Sequence, residues 1–370
     1  CGLFAVCRTR PFALRERPYR SVPLGWSTGP VNILVLGGTV FLGRAVVAEA
    51  VADGAAVTVF NRGRSGPTPP GAKHIAGDRT DPVALAQLGE ERYDLVIDTS
   101  GYVPADVRRS ADLLADSCGH YVFISSINAY PAWPREPDYQ ASGVHDGDPD
   151  AGREDVPDGF SPAQSYGWLK VGCERAVVRA FGEGRSSILR AGSIVGPEDR
   201  EVRRLPWWLE RVARGGEVLV PGPPSATVSL IDVRDLARFA LLGVAGEFDT
   251  SGPHERDTRA DLMAACAAAT GSEATFTYVE DEDWLIEQGV EYWTELPLWI
   301  PTSIGPSVFS HNSEPAQAAG LRWRPLAETV RDTWTWLSRS PQPAREGEDD
   351  VGLAPAREAE LLAAWRRRSS

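Results

Sequence analysis

Tyr166 and Lys170, four residues apart in SYGWLKVGCE, are the first pair in this chain whose types and spacing could do chemistry. On a helix, positions i and i+4 share one face, so phenol and ammonium point the same way. A nearby positive charge favours phenolate and lowers the tyrosine pKa. Such a tyrosine can take up or deliver a proton near neutral pH. Tyr-x-x-x-Lys also arises by chance, as a surface aromatic beside a solvated cation. Composition sharpens the signal: of 38 Lys plus Arg, only Lys73 and Lys170 are lysines. Arginine could not stand in, because its planar, delocalised cation differs in geometry from a compact ammonium.

A second constellation is LGGTVFLG at 36–43, where Gly37, Gly38 and Gly43 bracket a turn completed by Thr39, Phe41 and Leu42. An apolar strand precedes the turn and a helical pattern follows it. Glycines there let the backbone approach a pyrophosphate, and the helix N-terminus supplies unpaired N–H groups. The alternative is a tight turn with no ligand. Val40 stands where GxxGxxG has its middle glycine, and its bulk is expected to shift the dinucleotide. The next strand ends VFNRGR, placing Asn61, Arg62 and Arg64 where NAD-preferring sites usually carry an acid. Arginine suits a ribose 2′-phosphate, so NADP(H) is favoured and NAD(H) is the alternative. The competing reading is arginines solvated in a surface loop.

These residues need a scaffold, and the hydrophobic pattern predicts one. Strands are expected at 31–37, 56–60, 73–77, 94–100, 120–126 and 186–190, with helices at 43–53, 105–117 and 165–181. The alternation predicts an α/β fold, a Rossmann doubly wound parallel sheet. Residues 131–162 hold eight acidic residues against two arginines and are rich in Pro and Gly. They read as a long mobile active-site loop, a candidate lid. Beyond Gly192, helices are expected at 203–214, 232–243, 257–269 and 326–338, and strands at 217–220, 226–231 and 274–279. The expected division is an extension over 1–29, a dinucleotide-binding domain over 30–190, a smaller substrate-binding region over 191–340, and a polar tail with a short helix over 341–370.

The turn, the Tyr166–Lys170 pair and the order of elements resemble the extended and atypical short-chain dehydrogenase/reductases of the epimerase/dehydratase type, over roughly residues 31–340. The resemblance implies a Ser or Thr four residues before a Tyr at the end of the fifth strand. In FISSINAY that is Ser126, counted back from Tyr130, with Ser125 the runner-up. Its hydroxyl would steady a developing alkoxide. The resemblance further implies an adenine contact at Asp78, which could equally cap the next helix. It places cofactor riboses along Thr99, Ser100 and Gly101, and the nicotinamide against Ala191, Ser193 and Ile194 in LRAGSIVGP. SLIDVRDLARF (229–239) resembles the family's helix-start signature, with Asp232 or Asp235 as its cap. Two departures narrow the reaction and count against a nucleotide-sugar substrate. Family dehydratases carry acids directly after the Ser, where this chain has Ile127 and Asn128. Sugar-nucleotide epimerases carry an arginine at the place of Val228.

Composition weighs against other classes. A net charge of −13 is poorly suited to gripping a nucleic-acid backbone. The cysteines at 1, 7, 118, 173 and 266 form no CxxC pair, which fits a reducing cytoplasm and buried thiols. No metal is expected from the five scattered histidines, and no apolar run is long enough to span a bilayer. Residues 1–29 show no periodic apolar face and are expected to be disordered, with Val31 a candidate start. The favoured function is an NAD(P)-dependent carbonyl reductase or alcohol dehydrogenase working through Ser126, Tyr166 and Lys170. The substrate is expected to be a small, partly apolar molecule held by tryptophans such as Trp133, Trp168, Trp207 and Trp208. Neither nucleic acid nor membrane is expected as a partner, and a homodimer is allowed. The alternatives are an epimerase that retains its cofactor and a non-catalytic NADP- or RNA-binding protein.

Overall fold

A computed structural model describes residues 30–340 and 351–369. The expectations for residues 1–29 and for Cys1 and Cys7 lie outside the described residues. In chain order the first half runs β1 (Asn32–Leu36), α1 (Phe41–Ala52), β2 (Ala56–Asn61), β3 (Ala72–Ala76), α2 (Pro82–Ala86), β4 (Tyr93–Asp98), α3 (Pro104–Leu114), β5 (Cys118–Ser126), α4 (Pro162–Phe181) and β6 (Ser186–Ala191). The second half runs β7 (Ser193–Val195), α5 (Arg204–Ala213), β8 (Glu217–Pro221), β9 (Thr227–Val228), β10 (Leu230–Asp232), α6 (Val233–Leu241), β11 (Gly246–Thr250), β12 (Asp257–Thr258), α7 (Arg259–Thr270), β13 (Thr275–Val279), α8 (Glu282–Glu287), α9 (Glu314–Ala318), α10 (Leu326–Arg339) and α11 (Pro355–Ser369).

Seven strands form one parallel sheet in the order β11-β6-β5-β4-β1-β2-β3. The apolar run at β1 shows why both faces must be covered. Ile33 and Val35 enter one core cluster with α1 and α6, while Leu34 and Leu36 enter another with α3 and α4. The chain leaves β1 in one direction for β2 and β3, then returns to β4 on the other side. That reversal opens a crevice at the carboxyl ends of β1 and β4, the usual ligand position in such sheets.

Three expectations change. The sheet unit extends past residue 190, because α6 packs on α1 and the edge strand β11 pairs with β6. Its sequence GEFDT is too polar to read as a strand. The expected strand at 226–231 is two: β9 pairs antiparallel with β12, and β10 pairs parallel with β7, with Ser229 between them donating to Gly252 O. The terminal helix of the expected polar tail is part of the core. In α11, Leu361 and Leu362 join the C-terminal cluster, and Glu358 is buried against Arg211 at 2.6 Å.

The segment 131–162, expected to be a loose lid, is pinned at several points. Tyr139 is fully buried and shares a hydrogen bond with His311 Nδ1 at 2.8 Å, and Asp150 takes both guanidinium nitrogens of Arg179. Cys118, Cys173 and Cys266 are buried free thiols. Among the described residues no cluster of possible metal ligands occurs, and no helix is long and apolar enough to cross a membrane.

Candidate active site

The crevice is a cleft of about 810 Å³. Its floor begins with the glycine turn. Gly37 and Gly38 have φ of +111° and +85°, and a Cβ on Gly38 would stand 2.8 Å from Val59. A Cβ on Gly43 would stand 2.6 Å from the backbone nitrogen of Gly38. The turn therefore closes against the helix only with glycine at these places. Val40 is extended at φ −124°, a conformation open to a β-branched residue, and it offers α1 no side-chain cap. The first N–H groups of α1 stay free for a phosphate. The cradle fits a dinucleotide. Asn61 holds the turn by donating to Gly37 O at 2.5 Å and accepting from Gly63 N. Arg62 and Arg64 lie near enough to Asp78 to help hold its carboxyl below the usual range, although hydrogen bonds from Thr80 do most of it. Asp78 does not cap α2, since Asp81 does so by accepting from Val83 N.

The other half of the cleft carries the catalytic candidates. Ser161 and Gln164 form a capping box that starts α4 at Pro162, three residues before the expected start. Tyr166 and Lys170 then lie on the face that lines the cleft. Gly167 matters because a Cβ there would collide with the carbonyl oxygen of Asn128. That close approach brings α4 against the turn after β5, where Ser126 accepts from Asn128 N and Nδ2 at 3.2 and 3.1 Å. The Ser126 hydroxyl also stands close enough to the Tyr166 phenol to draw its pKa down. Ser125 faces away and donates to the buried Glu174, which Arg190 grips in a fork. Lys170 is buried and donates to Gly101 O at 2.9 Å and Ile124 O at 2.6 Å. An ammonium has three donors, so a third N–H is left for the cleft.

The expected lowering of the Tyr166 pKa is not what this arrangement produces. Burial pushes the phenol up, and the nearby Ser126 hydroxyl offsets this only in part. Burial also pushes Lys170 down. The ammonium is turned to two carbonyl oxygens and lies 4.3 Å from the Phe123 ring centre.

The turn residues Gly37, Gly38, Thr39, Phe41, Leu42 and Gly43 line this one cleft, together with Asn61, Arg62, Arg64, Asp78, Thr99, Ser100, Ser126, Tyr166, Lys170, Ala191 and Ile194. Gly101 contributes its carbonyl to Lys170 from behind the wall. Ser193 sits in the β7–β10 pair, away from the lining. Sequence reasoning missed Gly167, Tyr102, Arg153 and Arg204. It also missed Arg79, which donates to Asp98 at 2.8 Å beneath the cleft. The glycine directly after Tyr166 was the one available signal. The tryptophans are a correction. Among the described residues none lines the cleft. Trp207, Trp208, Trp284 and Trp299 fill the C-terminal core, Trp168 packs with Ala151 and Leu169, and Trp133 packs on Ile127, Tyr130 and Tyr139.

With this geometry in view, the family model for the NAD dependent epimerase/dehydratase family matches residues 33–250. The chain belongs to that family. It is 29% identical over 343 residues to the dTDP-6-deoxy-L-talose 4-dehydrogenase (NAD(P)(+)) of Kitasatospora kifunensis, covering 85% of this chain and 98% of that relative. Among solved structures it is similar to the Bordetella bronchiseptica enzyme WbmH in complex with NAD+, with TM-score 0.58, 17% identity, and coverage of 84% of this chain and 99% of that one. It is also similar to the UDP-glucose 4-epimerase of Thermus thermophilus in complex with NAD, with TM-score 0.55, 17% identity, and coverage of 84% of this chain and all of that one. At these identities the structural likeness concerns the fold, the α/β Rossmann sheet with an added C-terminal region.

Proposed function

We propose that the chain is an NAD(P)-dependent oxidoreductase acting at a secondary alcohol or ketone carbon of a nucleotide-diphosphate sugar. The observation that carries the reading is the pair of Ser126 and Tyr166 hydroxyls, close together beside Lys170 in a cleft whose lining includes Arg62, Arg64, Arg153 and Arg204. In a chain of net charge −13, that is a gathering of cations where anionic ligands would lie. The 4-dehydrogenase relative supports the sugar-nucleotide class. The partly apolar carbonyl compound expected from the tryptophans has lost its argument, since those rings are core.

When bound, the nicotinamide supplies the hydride acceptor or donor. The chain's own residues do the proton work. In the oxidation direction Tyr166 takes the proton from the substrate hydroxyl, and in reduction it returns one to the carbonyl oxygen. Ser126 donates to the same oxygen and steadies the charge that develops on it. Lys170 favours the phenolate electrostatically and offers its remaining N–H to the ribose side of the cleft. Arg62 and Arg64 make no hydrogen bond or ion pair among the described residues, which suits a 2′-phosphate.

The test is turnover followed by nicotinamide absorbance with dTDP- and UDP-hexoses and their 6-deoxy forms. Aromatic and aliphatic ketones serve as the comparison set, each run with NAD and NADP. Turnover of a nucleotide sugar is expected, with NADP(H) bound about tenfold tighter than NAD(H). Activity on simple ketones with none on any nucleotide sugar would sink the reading.

A further inference from the structure

We propose that Arg204 is the anion anchor for the substrate's diphosphate, a role that rests on the nucleotide-sugar reading above. Arg204 opens α5 in the C-terminal region and lines the same cleft as Tyr166, Gly192 and Ile194. The glycine turn, Arg62, Arg64 and Asp78 belong to other strand ends and helix starts of the Rossmann sheet, so Arg204 stands on the substrate's side of the site.

Its neighbours show how unusual its state is. Arg200 is paired with Glu198, Arg203 with Glu210 through both carboxylate oxygens, and Arg211 with the buried Glu358. Among the described residues the Arg204 guanidinium makes no hydrogen bond and no ion pair within 4 Å. Its one ring contact is with Trp293, whose centroid lies 4.6 Å away. A guanidinium lying over an aromatic ring has its plane supported and its edge N–H donors left over. The counter-charge that acts on it is Asp199, and that carboxylate already accepts from the backbone N–H groups of Val202 and Arg203. Glu201 also lines this end, at the exposed rim. Arg204 itself is half-buried, and burial lowers its pKa, so among the described residues it is a partly desolvated cation without an ion-pair partner.

The place where family epimerases carry an arginine cannot do this work here. Val228 is 1% exposed, sits in the C-terminal core cluster and pairs with Asp257 across β9 and β12. The ligand chemistry that fits Arg204 is a pair of phosphate oxygens, which a guanidinium fork takes in bidentate fashion.

Calorimetry on the full chain with saturating NADP tests the assignment, using dTDP as the probe and inorganic pyrophosphate as the control for a bare anion. Arg204→Gln is expected to weaken dTDP binding about tenfold or more, as the loss of a charge-assisted pair does, while cofactor affinity stays at the wild-type value. Arg204→Lys is expected to recover only part of the loss, because it keeps the charge and loses the fork. With a turned-over nucleotide sugar, Arg204→Gln should raise KM and leave kcat nearly unchanged. Pyrophosphate binding that is weaker than dTDP and equally sensitive to Arg204→Gln also supports the anchor. Equal dTDP affinity in wild type and Arg204→Gln overturns it and leaves the nucleotide-sugar reading standing. No dTDP binding to wild type overturns that reading and the anchor with it.

Discussion

Tyr166 sits between two opposing influences. Burial favours its neutral form, and the nearby Ser126 hydroxyl favours the phenolate. Removing only the phenolic oxygen, by Tyr166→Phe, is expected to lower kcat on the order of 10²–10⁴-fold, with cofactor affinity by calorimetry unchanged. Near wild-type turnover would remove Tyr166 from the chemistry. The sign of the lysine's effect follows from charge. Alcohol oxidation needs the phenolate, so its rate rises with pH through the Tyr166 titration. Lys170→Met removes a cation that favours phenolate, so the rising limb should move to higher pH. A limb that stays in place in kcat/KM profiles would show that Lys170 only supports the fold. Ser125 illustrates what side-chain type alone leaves open. It is the same residue type one position from Ser126, yet strand alternation turns it inward to Glu174.

The geometry of the site is made by elements meeting closely. Helix α4 reaches the turn after β5 only because Gly167 has no side chain. Gly167→Ala should improve local helix propensity by about 1 kcal/mol. It should still misplace Tyr166 against Ser126, and a misplacement of about 1 Å costs on the order of 10²-fold in rate. Reduced kcat with intact helix content by circular dichroism is the expected pair of results. Unchanged kcat would mean that the contact with Asn128 yields without moving the phenol. The same logic explains why Val40 is tolerated. The middle position of the turn is extended here, so the family's usual glycine is dispensable at that point.

At the scale of the molecule, the C-terminal helix is tied into the C-terminal lobe. Glu358 accepts from Arg211 Nε at 2.6 Å and from Leu219 N at 3.0 Å, and both side chains are more than nine-tenths buried. Glu358→Ala would leave a buried guanidinium without its carboxylate, a change that costs about 3–5 kcal/mol. Urea unfolding should show that loss, and a change within about 0.5 kcal/mol would mean that α11 does not dock in solution. The lobe matters to function because α5, which carries Arg204, packs within it against α7 and α10. Stability of the tail and occupancy of the substrate side are therefore expected to be linked.

The Rossmann sheet, the glycine turn and the Tyr166–Lys170 pair were legible in the sequence because each depends on local rules. Those rules are an apolar run long enough for a strand covered on both faces, a glycine spacing, and a helical i, i+4 step. The edge strand β11 was not legible, since GEFDT has no apolar pattern and gains strand form only by pairing with β6. The tryptophans misled for a related reason. Composition records that large apolar rings exist, and only packing decides whether they face a ligand or one another. Arg204 could not be separated from Arg200, Arg203 and Arg211 by type or spacing. Which arginine is left without a carboxylate among the described residues depends on where Glu198, Glu210 and Glu358 arrive in space. Glu358 comes to Arg211 from 147 residues away, and a pairing over that distance along the chain is decided by the tertiary structure alone.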